Sequence, residues 1–280
     1  MIKQISNLVD NYNKWNYSIT SFRKIASQAS IAWTAMDFSM ASGNPSPNFY
    51  SWIELEATIL DSTKWIWTWW NVTWKKYLHE ISAITTSAWC APITMILCDY
   101  LMFYPQVDMD SVDVQNTTNP INLPRYESWE WVQMFVIAQY PYIWNVTFTI
   151  NYTNSDWVDK NTPIIRTNTA TYIWSMIHWW ALTNSVWPFI PLASWDKWVR
   201  KVNSITFTWA NWWLWAIVLV KPLATFTINE ITAPSETNYI KDITSIPEIK
   251  NWAFINFIGI PWWNVSGWPI FWTIKTIFDN

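Results

Sequence analysis

From Ile53 to Ile59 apolar residues occupy every second position, with Ile53, Leu55, Ala57 and Ile59 alternating against Glu54, Glu56 and Thr58. A period of two puts the two side-chain sets on opposite faces of an extended chain, so the pattern predicts a half-buried strand. Short runs dominated by β-branched and aromatic residues predict further strands at 77–87, 92–104, 132–140, 143–152, 170–178, 199–208, 214–227, 252–259 and 269–278. Helical spacing is confined to the first 30 residues: Ile5, Leu8, Val9 and Tyr12 form one stripe, and Phe22, Ile25 and Ala29 repeat it after a break at Lys14-Trp15-Asn16. Residues 41–50 carry Pro45 and Pro47 among small polar residues and predict an extended arm that reaches onto a neighbour.

Strands do not alternate with helices, which disfavours a parallel α/β sheet, and the turn signals fall at spacings typical of sandwiches and jelly rolls. The expected fold is all-β, a jelly-roll-like β-sandwich of one or two units with a short helical and extended N-terminal arm. The arm covers 1–50, a first β unit 51–160 and a second 161–280. The boundary between the units is soft, because the polar segment from Ser155 to Asn168 reads equally as a long loop within one domain. The irregular spacing of the aromatic doublets argues against a propeller or solenoid.

Composition changes this picture at one point. The chain has 28 tryptophans and 3 glycines, where a protein of this length has roughly 20 glycines, about 7%. The tryptophans stand where the backbone calls for glycine: after turn formers in Asp156-Trp157, Ser194-Trp195 and Asn251-Trp252, and as doublets at 69–70, 179–180, 212–213 and 262–263. A side chain this large belongs on a core face and is sterically opposed to positive φ. The placement implies that most of them are glycines in the working protein, written as Trp because a reassigned stop codon was translated with the wrong genetic code. Some bacterial lineages and their viruses read that codon as glycine. The two residue types together make about 11% of the chain, a level suited to a turn-rich β protein. The competing reading is a genuinely Trp-rich binding protein, which would need spaced rings on one surface rather than adjacent pairs after Asn and Ser.

A net charge of −3 gives no basic footprint, so nucleic acid is not an expected direct partner. No apolar run reaches the roughly 18 to 20 residues of a membrane span, and the first residues hold no apolar core of a leader; the chain is expected to be made and used from the cytoplasm. Cys90 and Cys98 would lie about 26 Å apart on one extended strand, too far for a local disulfide. Together with His79 and His178 they are too scattered for a zinc framework.

Three further features concern chemistry. Asp108-Met109-Asp110-Ser111-Val112-Asp113 offers carboxylates at Asp108, Asp110 and Asp113 that could hold Ca²⁺ in a loop, although the glycine turn and terminal Glu of an EF-hand loop are missing; turn formation is the alternative. Arg125 and Arg200, scarce basic residues beside acidic ones, are candidates for intersubunit or internal ion pairs. No Ser-His-Asp set, phosphate-cradling loop or metal-ligand helix is present, even with Trp read as Gly, so the expectation is a protein that is not an enzyme and carries no cofactor.

Several stretches resemble a family of poorly characterised bacteriophage virion proteins. They run through 97–105 (Leu-Cys-Asp-Tyr-Leu-Met-Phe-Tyr-Pro) with Asp108 and Asp110, Leu123-Pro124-Arg125-Tyr126, Tyr152-Thr153-Asn154-Ser155-Asp156-Trp157, 188–192, Asp196-Lys197-Trp198-Val199-Arg200 and 218–223. Where the family pattern has glycine, this chain shows Trp157 and Trp198. The resemblance implies a structural component of a phage particle (capsid, decoration or head-associated) that acts by self-assembly, with itself and other virion proteins as partners, located in the virion and assembled in the host cytoplasm. The alternative is a receptor- or glycan-binding adhesin of a tail or fibre. A hydrolase acting on a host surface polymer would need paired carboxylates at glycosidase separation in a groove.

Overall fold

A computed structural model describes residues 5–279 apart from 27–28, 31, 45, 47–52, 62–72, 88–89, 120–121, 127–129, 141–143, 168–178, 181–187, 242–245 and 266. One helix, α1 (Ile5–Asn13), precedes eighteen strands. These are β1 (Tyr17–Ala26), β2 (Met36–Asp37), β3 (Ser42–Asn44), β4 (Thr58–Ile59), β5 (Lys75–Thr85), β6 (Ile93–Asp108), β7 (Gln115–Asn116), β8 (Gln133–Ala138), β9 (Thr147–Asn154), β10 (Asp159–Asn161), β11 (Ile165–Thr167) and β12 (Trp179–Trp180). The remainder are β13 (Val199–Phe207), β14 (Leu214–Ile228), β15 (Ser235–Asn238), β16 (Glu248–Ile249), β17 (Phe254–Pro261) and β18 (Trp268–Asp279).

They form three antiparallel sheets. The outer sheets run β15-β5-β18-β1-β3, with β16 on β5, and β12-β11-β9-β13-β7, with β10 on β9; the middle sheet runs β2-β17-β6-β14-β8, with β4 on β6. The middle sheet is apolar on both faces, which strict alternation makes possible. Along β14, Trp215, Ile217 and Leu219 enter one core with Phe148, Ile150 and Val202 of the second outer sheet, while Ala216, Val218 and Val220 enter the other with Leu78, Ile81 and Ile274 of the first. In β8, Met134 and Val136 face the first of these cores and Phe135 and Ile137 the second. The all-β, sandwich-like expectation holds, with one sheet serving two layers.

Most long predicted strands are found at β5, β6, β8, β9, β13, β14, β17 and β18; the run predicted at 170–178 lies outside the described residues. Three expectations change. Phe22 and Ile25 of the expected helical stripe lie instead in strand β1, which ends before Ala29 and pairs with β18 from Tyr17↔Ile277 to Ala26↔Trp268. Its inward set is Phe22, Lys24 and Ala26, and the buried lysine hides the period of two: its ammonium donates to the Ala41 carbonyl at 3.0 Å. The described part of residues 1–50 is accordingly not a free arm, since β1, β2 and β3 all pair into the body and Phe38 is buried against Trp268 and Trp272; residues 45 and 47–50 of the predicted arm lie outside the described residues. The alternating stretch at 53–59 yields only β4, because the chain turns at Leu55, whose φ is 54°. Finally, β6 and β14 pair along their lengths from Leu214↔Asp108 to Ile228↔Ile93, so the segments 51–160 and 161–280 interleave rather than fold side by side.

Among the described residues, seven of the eleven non-glycine residues at positive φ are tryptophans: Trp15, Trp33, Trp131, Trp157, Trp195, Trp213 and Trp252. The local hydrogen bonds explain the geometry. At the end of α1, Asn16 N–H donates to Asn11 O at 2.8 Å and Trp15 N–H to Tyr12 O at 3.1 Å, the paired bonds of a Schellman motif whose left-handed residue, here Trp15, is usually glycine. Between β9 and β10, Asn154 Oδ1 accepts from the Asp156 and Val158 amides, leaving Trp157 at φ 62°, the place of glycine in a type I turn closed by a bulge. Trp195 follows the same logic in the turn closed by Asp196 N–H to Ala193 O, with 97% of its surface exposed. Two doublets differ: Trp179–Trp180 form strand β12, and Trp262–Trp263 lie in a bend without positive φ; the pair at 69–70 is outside the described residues.

Candidate functional site

A cleft of about 1000 Å³ opens beside β14 of the middle sheet. Three chain segments build it: Pro124-Arg125-Tyr126 with Glu130 and Trp131 before β8, Lys221-Pro222-Leu223 in β14, and Pro247, Glu248, Lys250 and Asn251 around β16. Pro222 has no N–H for the ladder, and the register against β6 shifts between Pro222 and Ala224. That bulge re-aims Lys221 and Leu223 into the opening.

Arg125 lies at the floor and is buried. Its Nε donates to Asp99 Oδ2 at 2.9 Å, and its Nη2 to Asp99 Oδ1 at 2.7 Å, Leu60 O at 2.9 Å and Tyr100 O at 2.7 Å. Asp99 Oδ1 also accepts the Phe254 amide at 2.9 Å, so the buried carboxylate is fully engaged. Above them the Lys221 ammonium donates to the Glu130 carbonyl at 2.6 Å and sits 5.4 Å from the centre of the Tyr126 ring. Burial lowers the Lys221 amine to about 8, with Glu130 opposing the shift and Lys250 adding to it. Lys250 is paired with Glu248 at 2.7 Å. Burial, reinforced by the charge of Asp99, pushes the Tyr126 phenol well above its usual value.

A second polar cluster lies deep between the first outer sheet and the middle sheet. Asp37 Oδ1 accepts from Tyr100 Oη at 2.7 Å, Asn256 Nδ2 at 3.0 Å and the Ser39 amide at 3.0 Å, and Oδ2 accepts the Ser39 hydroxyl. Burial raises the Asp37 carboxyl and lowers Lys24 to about 7. Enclosed on all sides, this group fixes the register of β2 against β17.

The structure places the sequence candidates as follows. Asp108 Oδ1 accepts the Asp110 amide and Ser111 Oγ the Asp113 amide, which is turn formation, and among the described residues no group of three or more potential metal ligands occurs. Arg125 makes an internal pair, not an intersubunit one. Arg200 is also turned inward, its Nε on Ser155 O and its guanidinium 3.7 Å from the centre of the Trp157 ring. Cys90 and Cys98 are buried free thiols; His79 accepts or donates at Tyr12 Oη, 2.5 Å away, and His178 is outside the described residues. Sequence reading found Arg125 but not its companions at the cleft, because Lys221, Pro247 and Lys250 are separated along the chain and each looks like ordinary strand punctuation.

The buried amines predict a pH dependence. Lys24, lowered to about 7, and Lys76 and Lys221, each lowered to about 8, have all released protons in the folded state that the unfolded chain still holds up to its ordinary value of 10.5. The unfolded state binds more protons in that window, so stability rises with pH from about 7 to about 10. Beyond that the raised phenols of Tyr104, Tyr152 and Tyr239 reverse the sign, since the unfolded chain loses those protons first. Calorimetry at constant ionic strength should find the melting temperature highest at about pH 9–10; a maximum below pH 7 would contradict the burial of these amines.

Compared with protein-family models, with curated proteins and with solved structures, the chain matches none. Its fold defines a layered antiparallel β protein with a ligand-sized cleft, and among the described residues no helix is long and apolar enough to cross a membrane.

Proposed function

We propose that the chain is a structural component of a bacteriophage particle that works by self-association. The observation that supports this best is the way its apolar surface is directed inward: the middle sheet is covered on both faces, and β1 and β18 close one outer sheet by pairing over ten residues. What remains for partners is sheet edges and turns, the surfaces by which repeated copies of a β body meet. With β1 to β3 built into the body, contact between copies runs through those edges rather than through a swapped arm. Quantitative mass spectrometry of purified particles tests the reading: a fixed copy number in a symmetric ratio to the other virion proteins supports it, and absence from particles sinks it. The adhesin reading is favoured only by the cleft, and would show as a few copies at a tail tip.

We further propose that the seven tryptophans at positive φ are glycines in the working protein. All seven are exposed, which supports the reading, because an indole on the surface gains little burial to set against a strained backbone. Trp215, Trp268 and Trp272 contrast with them, being buried, with Trp272 stacked 4.5 Å from Phe257 and Trp215 set edgewise on Phe148 and Phe207. The N–H groups of Trp268 and Trp272 find no acceptor among the described residues. That costs about 1–3 kcal/mol each, less than the roughly 4–6 kcal/mol gained by burying a side chain of about 150–250 Å². These three are therefore assigned as true tryptophans. The gene decides: the reassigned stop codon at the seven positions and the ordinary Trp codon at the three is the expected result, and ordinary Trp codons at all ten would refute it. Peptide masses from native protein give the same answer independently.

A further inference from the structure

We propose that the cleft between β14, β16 and the segment before β8 binds an acidic saccharide, holding its carboxylate between Arg125 and Lys221. This goes beyond the assembly role and stands independently of it.

The argument starts at the floor. Arg125 is fixed by four hydrogen bonds, all made through Nε and Nη2, to Asp99, Leu60 and Tyr100. The remaining nitrogen, Nη1, makes no hydrogen bond to the described residues, and the side chain lines the cleft. A buried guanidinium held rigidly with one NH₂ edge toward an opening is a preorganised donor for a carboxylate oxygen, because its position costs no ordering when the ligand arrives. Lys221 converges on the same space from β14, anchored by a single bond to the Glu130 carbonyl and partly desolvated, so a counter-ion would favour its charged form. The other charges facing it are Lys250, tied to Glu248, and the carboxylate of Glu130 at the rim.

The walls indicate what carries the carboxylate. Pro124, Pro222 and Pro247 make the opening stiff and preformed, and about 1000 Å³ suits a small molecule or a few sugar rings. Asn251 and Glu248 supply amide and carboxylate groups for hydroxyls, and Pro222 and Leu223 an apolar side for a ring face. β14 is paired on both sides only from Trp215 to Val220, and at the cleft Pro222 has no N–H to offer an added strand, which disfavours strand addition there.

Titration calorimetry of the full chain with a glucuronate-containing disaccharide, and with its neutral glucose counterpart, tests the assignment. The acidic sugar is expected to bind at least about tenfold more tightly than the neutral one, which corresponds to about 1.4 kcal/mol. Lys221→Gln should weaken the acidic sugar by about tenfold or more and leave the neutral one unchanged, while Lys160→Gln, on exposed β10, changes neither. Lys250→Gln serves where the first variant fails to fold, and should weaken binding by a smaller factor. Equal affinity for the two sugars, no binding of either up to about 10 mM, or undiminished binding by folded Lys221→Gln would each overturn the proposal. Displacement of the sugar by a peptide carboxylate with equal affinity would also overturn it, since the site would then recognise the charge and not the saccharide.

Discussion

Replacing Trp15, Trp33, Trp131, Trp157, Trp195, Trp213 and Trp252 together by glycine should raise the stability of the chain by about 9 kcal/mol, each site gaining about 2 kcal/mol of relieved strain and losing about 0.75 kcal/mol to entropy. A non-glycine residue held at positive φ costs on the order of 1–3 kcal/mol. Glycine removes that cost and gives back roughly 0.5–1 kcal/mol through its greater unfolded-state entropy, so each site gains on balance. Against a whole-protein stability of about 5–15 kcal/mol, the combined change separates an aggregating chain from a folded one. Thirteen tryptophans are exposed among the described residues, and removing seven also dissolves apolar patches that promote association. Soluble yield and urea unfolding of the two versions measure the effect. A matched control makes the test two-sided: glycine at Trp215, Trp268 and Trp272 should cost more than about 3 kcal/mol per site, because each leaves a cavity in a core. Equal melting temperatures for the original chain and the seven-glycine chain would return the surface indoles to the status of functional residues.

The second large effect is at the cleft floor. Arg125→Met removes both charge-assisted bonds from the buried Asp99 carboxylate, and should destabilise the protein by about 3–5 kcal/mol. Adding Asp99→Leu in the same chain should recover much of that loss, because an apolar pair of similar volume carries no desolvation penalty. Guanidinium unfolding of both singles and the double gives the coupling directly. Additive losses would mean that the two side chains contribute separately rather than as a pair.

How far the sequence foretold this depends on which residues set each pattern. Where apolar and aromatic residues run unbroken, as in β6 and the first half of β14, both faces are buried and composition alone announces a strand. Where an inward position is polar the signal fails: Lys24 masks β1, and so a paired strand reads as a helical stripe. At 53–59 the alternation is present but Leu55 turns the chain, a local backbone event that periodicity does not encode. These turns are legible in the sequence, since Trp157, Trp195 and Trp252 stand after turn formers and adopt positive φ. Trp15 was legible only with the bonds at the end of α1 in view. The cleft was hidden, because its parts come from three separated segments joined by pairing between β14, β6 and the strands around them.

The position of β18 between β5 and β1 has a consequence for how the chain matures. On the ribosome β1 emerges first and β18 last among these strands, so β1 and β5 lack the strand that joins them until synthesis has passed Asp279. Closure of that sheet waits for β18, and nascent chains expose the inward faces of β1 and β5 until that strand has been made. Such chains would draw on holding chaperones in proportion to the time spent elongating from β1 to β18.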